Sequence, residues 1–206
     1  MGLIAKRCFP NAVQVIDRFH VQQLASDALQ EIRIKHSWQA IDDENQAIEQ
    51  ARKNKGTYFP EILSNSGTVK QLLARRRYLL YKNEHKWTLE QRERAAVLFE
   101  RYPDIEKAYR LSLELSWIFN TIIDKIYAFT RLAKCADKVE QAGFKSFNTV
   151  SRTINIHHKK NLNYFDNKCT NASAESFNAK IKAFRSQFRG VGDINFFLFR
   201  FPKLFA

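Results

Sequence analysis

Hydrophobic positions along this chain recur mostly at intervals of three and four, the period of helices that bury one face. From Val21 to about Arg52, Leu24, Ala28, Ile32 and Lys35 descend one side, and Ile41, Ile48 and Ala51 continue it beyond an expected break near Trp38. Residues 54–68 carry Gly56, Pro60, Ser64, Asn65, Ser66 and Gly67 and read as a loop, after which Val69 to Tyr81 reads as a second helix. Thr88 followed by Gln91 three residues on has the form of a capping box, opening a helix to about Tyr102. Pro103 starts the next, carrying Ile105, Ala108, Leu111, Leu115 and Phe119. Periodic runs follow from Ile122 to Ala142, stopped by Gly143, and from Ser146 to about Lys160, with Phe147, Val150 and Ile154 as the stripe. A polar stretch over 161–170 leads into Asn171–Gly190, where Phe177, Ile181, Phe184 and Phe188 line one face. Asn171 or Ser173 can cap that helix and Gly190 can stop it. Asp193 then caps a last helix of Phe196, Phe197, Phe199 and Phe201, expected to pack against its predecessor.

One segment departs from the helical period. Residues 3–8 read as the tail of a helix, Phe9-Pro10-Asn11-Ala12 as a turn, and Val13-Gln14-Val15-Ile16 as a short buried strand ending at Asp17-Arg18-Phe19-His20. No other convincing strand is visible, and a lone strand leaves backbone donors and acceptors unpaired on both edges. Either the strand reading fails, or its partners belong to a part of the protein outside this sequence. The start in mid-helix, without a cap, points to truncation or a split reading frame.

Charge narrows the function. The 206 residues include 34 basic and 21 acidic ones, a formal net charge of +13. Such a balance points to a polyanion, most commonly nucleic acid. Between Lys70 and Arg94 lie eight basic and three acidic residues, Arg75, Arg76 and Arg77 among them, a candidate phosphate-contacting surface. Lys180, Lys182, Arg185 and Arg189 make the 171–190 stretch basic as well. Each of these is also the pattern of an ordinary solvated helix face. Three widely spaced cysteines, Cys8, Cys135 and Cys169, do not form a disulfide framework and fit a reducing cytosol. No apolar run reaches membrane-spanning length.

Much chemistry is excluded. Cys169 and the His157-His158 pair lack zinc-site spacing and read as polar loop residues. No glycine-rich phosphate loop and no nucleophile signature occurs. Two carboxylates stand out, Asp17 at the end of the expected strand and Glu175 at the head of a basic helix, where Asn178 and Lys182 share its face. Paired carboxylates suit phosphoryl transfer, which needs oxygen ligands to clamp divalent ions at the reacting phosphate.

At these two segments the sequence resembles bacterial insertion-sequence transposases of the DDE type, specifically the ISL-three family. The likeness rests on Phe9-Pro10-Asn11-Ala12, on Asp17-Arg18-Phe19-His20-Val21, and on Asn171-Ala172 with Glu175, Asn178, Lys180-Ile181-Lys182 and Arg189-Gly190. It covers nearly the whole chain. It implies a mostly α protein with a partial RNase H-like α/β core: residues 1–24 as a core remnant bearing the second acid, 25–168 as a helical insertion, and 169–206 as the catalytic and final core helices. Asp17 and Glu175 would match the second and third acids of a triad binding two Mg²⁺ ions. Asn178 and Lys182 would orient Glu175 or contact a phosphate, with Arg18, His20, Arg185 and Arg189 near the DNA backbone. The first acid, with the early strands, would lie in a missing N-terminal segment, so the chain alone is expected to be inactive. The resemblance also implies double-stranded DNA (element ends and target) as partner, a homodimer on that DNA, and a bacterial cytoplasmic location. A helical DNA-binding or regulatory fragment without activity is the alternative. Trp117 is expected either in the core or stacked on an unpaired base.

Overall fold

A computed structural model describes residues 7–64, 67–75, 78–168, 172–187 and 192–205. The chain divides into two compact units, Met1–Asn167 and Lys168–Ala206. Among the described residues helices dominate, as the periodicity requires. The strands amount to one two-residue antiparallel pair, β1 (Ile62–Leu63) and β2 (Gly67–Thr68).

The first unit is built on α1 (Arg18–Lys53), about 54 Å long at 1.5 Å per residue. No Gly or Pro interrupts those 36 residues, and the break expected near Trp38 does not occur. Val21, Ala25, Ala28, Leu29 and Ile32 are buried in the N-terminal half, while Trp38 stays on the surface. The buried Arg33 ties α1 to α2 (Val69–Arg75): its Nη1 donates to the Leu73 carbonyl at 2.8 Å and its Nε to Gln30 Oε1 at 2.7 Å. The second helix is therefore shorter than the pattern suggested, and residues 78–82 form turns.

Thr88 opens α3 (Leu89–Arg101) with the capping box in place, and Pro103 opens α4 (Pro103–Thr121). The five apolar positions expected to face inward on α4 are all buried. A trio of rings fills the space between α3, α4 and the turn before α3: Trp87 stacks on Tyr109 at 5.4 Å, and Phe99 lies 5.5 Å from Tyr109. The Tyr109 hydroxyl donates to the Lys82 carbonyl at 2.8 Å and Trp87 Nε1 to the Leu79 carbonyl at 3.1 Å, pinning the 79–87 segment. Burial pushes the Tyr109 phenol far above its ordinary range.

α5 (Lys125–Ala142) starts three residues later than expected because Asp124 takes the N-cap position and accepts from the Tyr127 amide. Gly143 ends it at φ +70°, a left-handed position that favours glycine. The run expected from Ser146 to Lys160 is divided into a 3-10 turn (Lys145–Phe147), α6 (Asn148–Ile156) and α7 (His158–Leu162), followed by α8 (Tyr164–Asn167). The division at His157 has a side-chain cause. Asn161, fully buried, folds back and donates to the Thr153 carbonyl at 3.1 Å, sealing the C-terminus of α6 and turning the chain.

The strand expected over Val13–Ile16 does not form. Its backbone is held instead by helix-end groups: the Ile16 amide donates to the Lys160 carbonyl at 3.1 Å, and the Gln14 carbonyl accepts from Asn163 Nδ2 at 3.0 Å. Val13 is exposed, while Val15 and Ile16 pack against the core. Among the described residues no neighbouring strand is available to complete a ladder. The preceding turn is as expected, with the Ala12 amide bonded to the Phe9 carbonyl at 3.1 Å.

The second unit pairs α9 (Ala172–Gln187) with α10 (Ile194–Phe205). Phe184 is buried and lies 5.4 Å from Phe197 and 5.9 Å from Phe201, with Phe177 5.5 Å from Phe201. The expected packing of the last helix on its predecessor is thus present. Asp193 caps α10, accepting from the Asn195 and Phe196 amides at 2.8 and 3.2 Å. The expected caps Asn171 and Gly190, and the stripe residue Phe188, lie outside the described residues.

Candidate catalytic carboxylates and basic surfaces

Asp17 occupies the N-cap of α1. Its Oδ1 accepts from the Phe19 amide at 2.9 Å, its backbone carbonyl accepts from the His20 amide at 3.1 Å, and the residue is 9% exposed. Sequence dictates this locally, since Asp in extended geometry before a helix satisfies one of the first orphan amides. Capping does not exhaust an ionised carboxylate, which offers about four acceptor sites on two oxygens. The positive end of the long helix favours the negative charge. Beside it, Arg18 Nη1 donates to Asn120 Oδ1 at 2.6 Å at the C-terminal end of α4, and its guanidinium lies 4.7 Å from the Phe19 ring. His20 is exposed.

Glu175 lies in the first turn of α9, in the second unit, and is exposed, as are Asn178, Lys180, Lys182 and Arg185. Of the expected apolar stripe, Phe184 is buried and Ile181 half-buried while Phe177 is exposed, and the charged residues of this helix are exposed. Arg189 lies outside the described residues. So do Arg76 and Arg77, and the Arg75 side chain at the end of α2. Each unit thus contributes one of the two candidate carboxylates.

Carboxylate oxygens are the right donor type for a hard divalent ion. The number falls short: among the described residues no group of three or more His, Cys, Asp or Glu side chains is gathered as a metal site. Asp17 and Glu175 each offer the oxygen donors such an ion takes, and neither belongs to a gathered ligand set among the described residues.

The fold adds a juxtaposition that spacing along the chain does not reveal. His157 and His158 read as polar loop residues and Lys159 and Lys160 as the end of a helix, yet the hydrogen bonds of Lys160 and Asn163 tie this stretch to the segment that leads into Asp17. No local pattern signals a pairing between positions so far apart.

Trp117 lies neither in the core nor fully in solvent. It is 42% exposed, with the Arg131 guanidinium 5.4 Å from its ring. Arg131 also pairs with Glu114 at 3.1 Å, so this surface cation is partly neutralised. Cys135, in contrast, is buried, and burial pushes its thiol up to about 12. In the native protein Cys135 should resist alkylation at pH 8 while the exposed Cys8 reacts; denaturation should release Cys135. Equal labelling of both in the folded state would contradict this packing.

Comparison with known families supplies the class. The family model matching residues 2–201 describes a transposase, of the DDE type. Since that match spans nearly the entire sequence, the chain belongs to the ISL3 (ISL-three) family of DDE transposases. No curated protein and no solved structure matches it. The family implies DNA as the partner. Among the described residues no helix is long and apolar enough to cross a membrane.

Proposed function

We propose that this chain supplies two of the three acids of an insertion-sequence transposase that cleaves element-end DNA and joins it to target DNA. The observation that carries the reading is the family match over residues 2–201, within which Asp17 is the low-exposure carboxylate at the head of the longest described helix. Asp17 and Glu175 are the metal ligands, brought together in the complete enzyme with a first acid from a preceding segment. In that assembly residues 13–17 join an RNase H-like sheet whose other strands come from the same segment. Residues 1–24 and 169–206 then belong to the catalytic core, and 25–168 form its helical insertion.

Two bound Mg²⁺ ions would supply activation of the attacking oxygen and stabilisation of the leaving one. The chain's own groups hold and orient. Asn178 and Lys182 share the face of Glu175 and direct it or contact a phosphate. Lys180 and Arg185 on the same helix, Arg189 after it in the sequence, Arg18 and His20 beside Asp17, and Arg75, Arg76 and Arg77 follow the DNA backbone. The working form is a homodimer on double-stranded DNA in the bacterial cytoplasm.

The test is nicking and strand transfer on element-end DNA with magnesium, by this chain with and without the preceding segment. The chain alone should be inactive, and the completed enzyme active. Glu175→Ala should reduce activity of the completed enzyme by about 10³-fold, the loss of roughly 4 kcal/mol of charge stabilisation. Activity that survives this change would remove Glu175 from the centre. The second reading, a DNA-binding or regulatory fragment without catalysis, is favoured by the lack of a three-ligand cluster among the described residues. It predicts salt-sensitive DNA binding and no metal-dependent cleavage even with the segment restored.

A further inference from the structure

Residues 153–165 form a braced corner. The Thr153 carbonyl receives both the His157 amide at 3.2 Å and the Asn161 side chain at 3.1 Å. The Asn161 and Asn163 amides bond back to the His157 and Lys159 carbonyls at 2.9 and 3.0 Å. Immediately after the corner, Tyr164 and Phe165 are buried, each with its ring 5.6 Å from Phe119. The corner is thus fixed from inside while its charged residues lie outward: Lys159 is exposed and Lys160 half-buried. His158 is engaged differently, its Nδ1 3.1 Å from the Asn155 carbonyl and its ring lining an apolar cleft with Phe129, Leu132 and Leu162. Many cations of this unit, such as Lys70, Arg101, Arg110, Lys125 and Lys138, are neutralised by carboxylates. Lys159 and Lys160 have no such partner among the described residues.

Two hydrogen bonds attach this corner to the chain just ahead of Asp17, from Ile16 to Lys160 and from Asn163 to Gln14. The Lys160 backbone is therefore bonded to the residue that immediately precedes the N-cap carboxylate, at the helix end where Arg18 and His20 also lie. We propose that Lys159 and Lys160 form a phosphate-contacting surface that positions the DNA backbone against Asp17. This rests on the catalytic reading of Asp17 and adds to it a positioning pair that the 13–17 segment and α9 do not contain. Unneutralised lysines held on a rigid corner suit the role, because they act on phosphate as point charges with little ordering left to occur on binding.

The experiment uses the full chain and a short fluorescein-labelled duplex of arbitrary sequence, without metal, so that catalysis plays no part. Affinity is measured across about 50 to 200 mM salt. Each phosphate contact contributes about 0.9 to the slope of log affinity against log salt. Lys159→Gln with Lys160→Gln should lower the slope by about 2, making the loss of affinity across that range about ten-fold smaller than in the parent. The Lys→Arg pair should restore it. Lys53→Gln with Lys55→Gln, at and just beyond the opposite end of α1, should leave the slope unchanged. The single exposed change Lys159→Gln, expected to lower the slope by about 1, serves if the double variant does not fold by thermal melt. An unchanged slope in the 159–160 variants, or an equal fall in the control pair, overturns the proposal. Loss of metal-dependent cleavage is read separately, so failure of the catalytic reading and failure of this one are distinguishable.

Discussion

Asp17→Asn in the completed enzyme should abolish magnesium-dependent cleavage while leaving the fold intact. Asn and Asp are about equally good at a helix N-cap, so the bond from the Phe19 amide survives the change. What disappears is the charge, and with it a ligand for a hard cation. A fall of about 10³-fold in rate is expected, corresponding to roughly 4 kcal/mol. Asp17→Ala removes the cap as well and should cost about 1 kcal/mol of stability. Comparing the two separates chemistry from architecture. If the Asp17→Asn variant cleaves at the parental rate, the residue is a helix cap and nothing more, and the metal reading of this end of α1 is lost.

The largest stability effect is expected at Phe119. This side chain is fully buried on α4, stacked on Phe165 and edge-on to Tyr164. Phe119→Ala removes the ring that both of them contact and should cost about 3–5 kcal/mol, with a melting midpoint lower by roughly 10 °C. The consequence extends beyond the core. Docking of α8 on Phe119 holds the corner to which residues 14–16 are bonded, so the Ile16 amide should exchange faster with solvent in the variant. Thermal melts and amide exchange check both halves. An unaltered midpoint would mean that the aromatic contact does not brace the corner.

Most of the helical architecture was legible in the residues because local chemistry decides it. Thr88 with Gln91, Pro103, Gly143 and Asp193 set helix ends through caps and backbone geometry that involve only near neighbours. The stripes of α4 and α6 were likewise readable, since a helix with one apolar face must bury it. The failures occur where distant groups compete. The Ser146–Lys160 run reads as one helix, and it divides because Asn161 supplies a donor to Thr153 from a turn beyond the helix end. Val13–Ile16 has strand composition, but composition cannot create the neighbour that a ladder needs, and helix-end groups at Lys160 and Asn163 take its backbone instead.

The same division holds for the candidate site. By itself the sequence determined which side chains have the necessary chemistry: carboxylates at Asp17 and Glu175, cations along α9, and a family signature joining them. The N-cap role of Asp17 was not among those readings: the residue was expected at the end of a strand, and the structure shows it satisfying an orphan amide of α1 instead. Only the tertiary structure set the lysines of the 157–160 corner beside the segment leading into Asp17. That meeting depends on buried rings at 119, 164 and 165 and on hydrogen bonds spanning most of the first unit. Contacts of that range leave no periodic trace, since each partner needs only to fit the other and not its own neighbours.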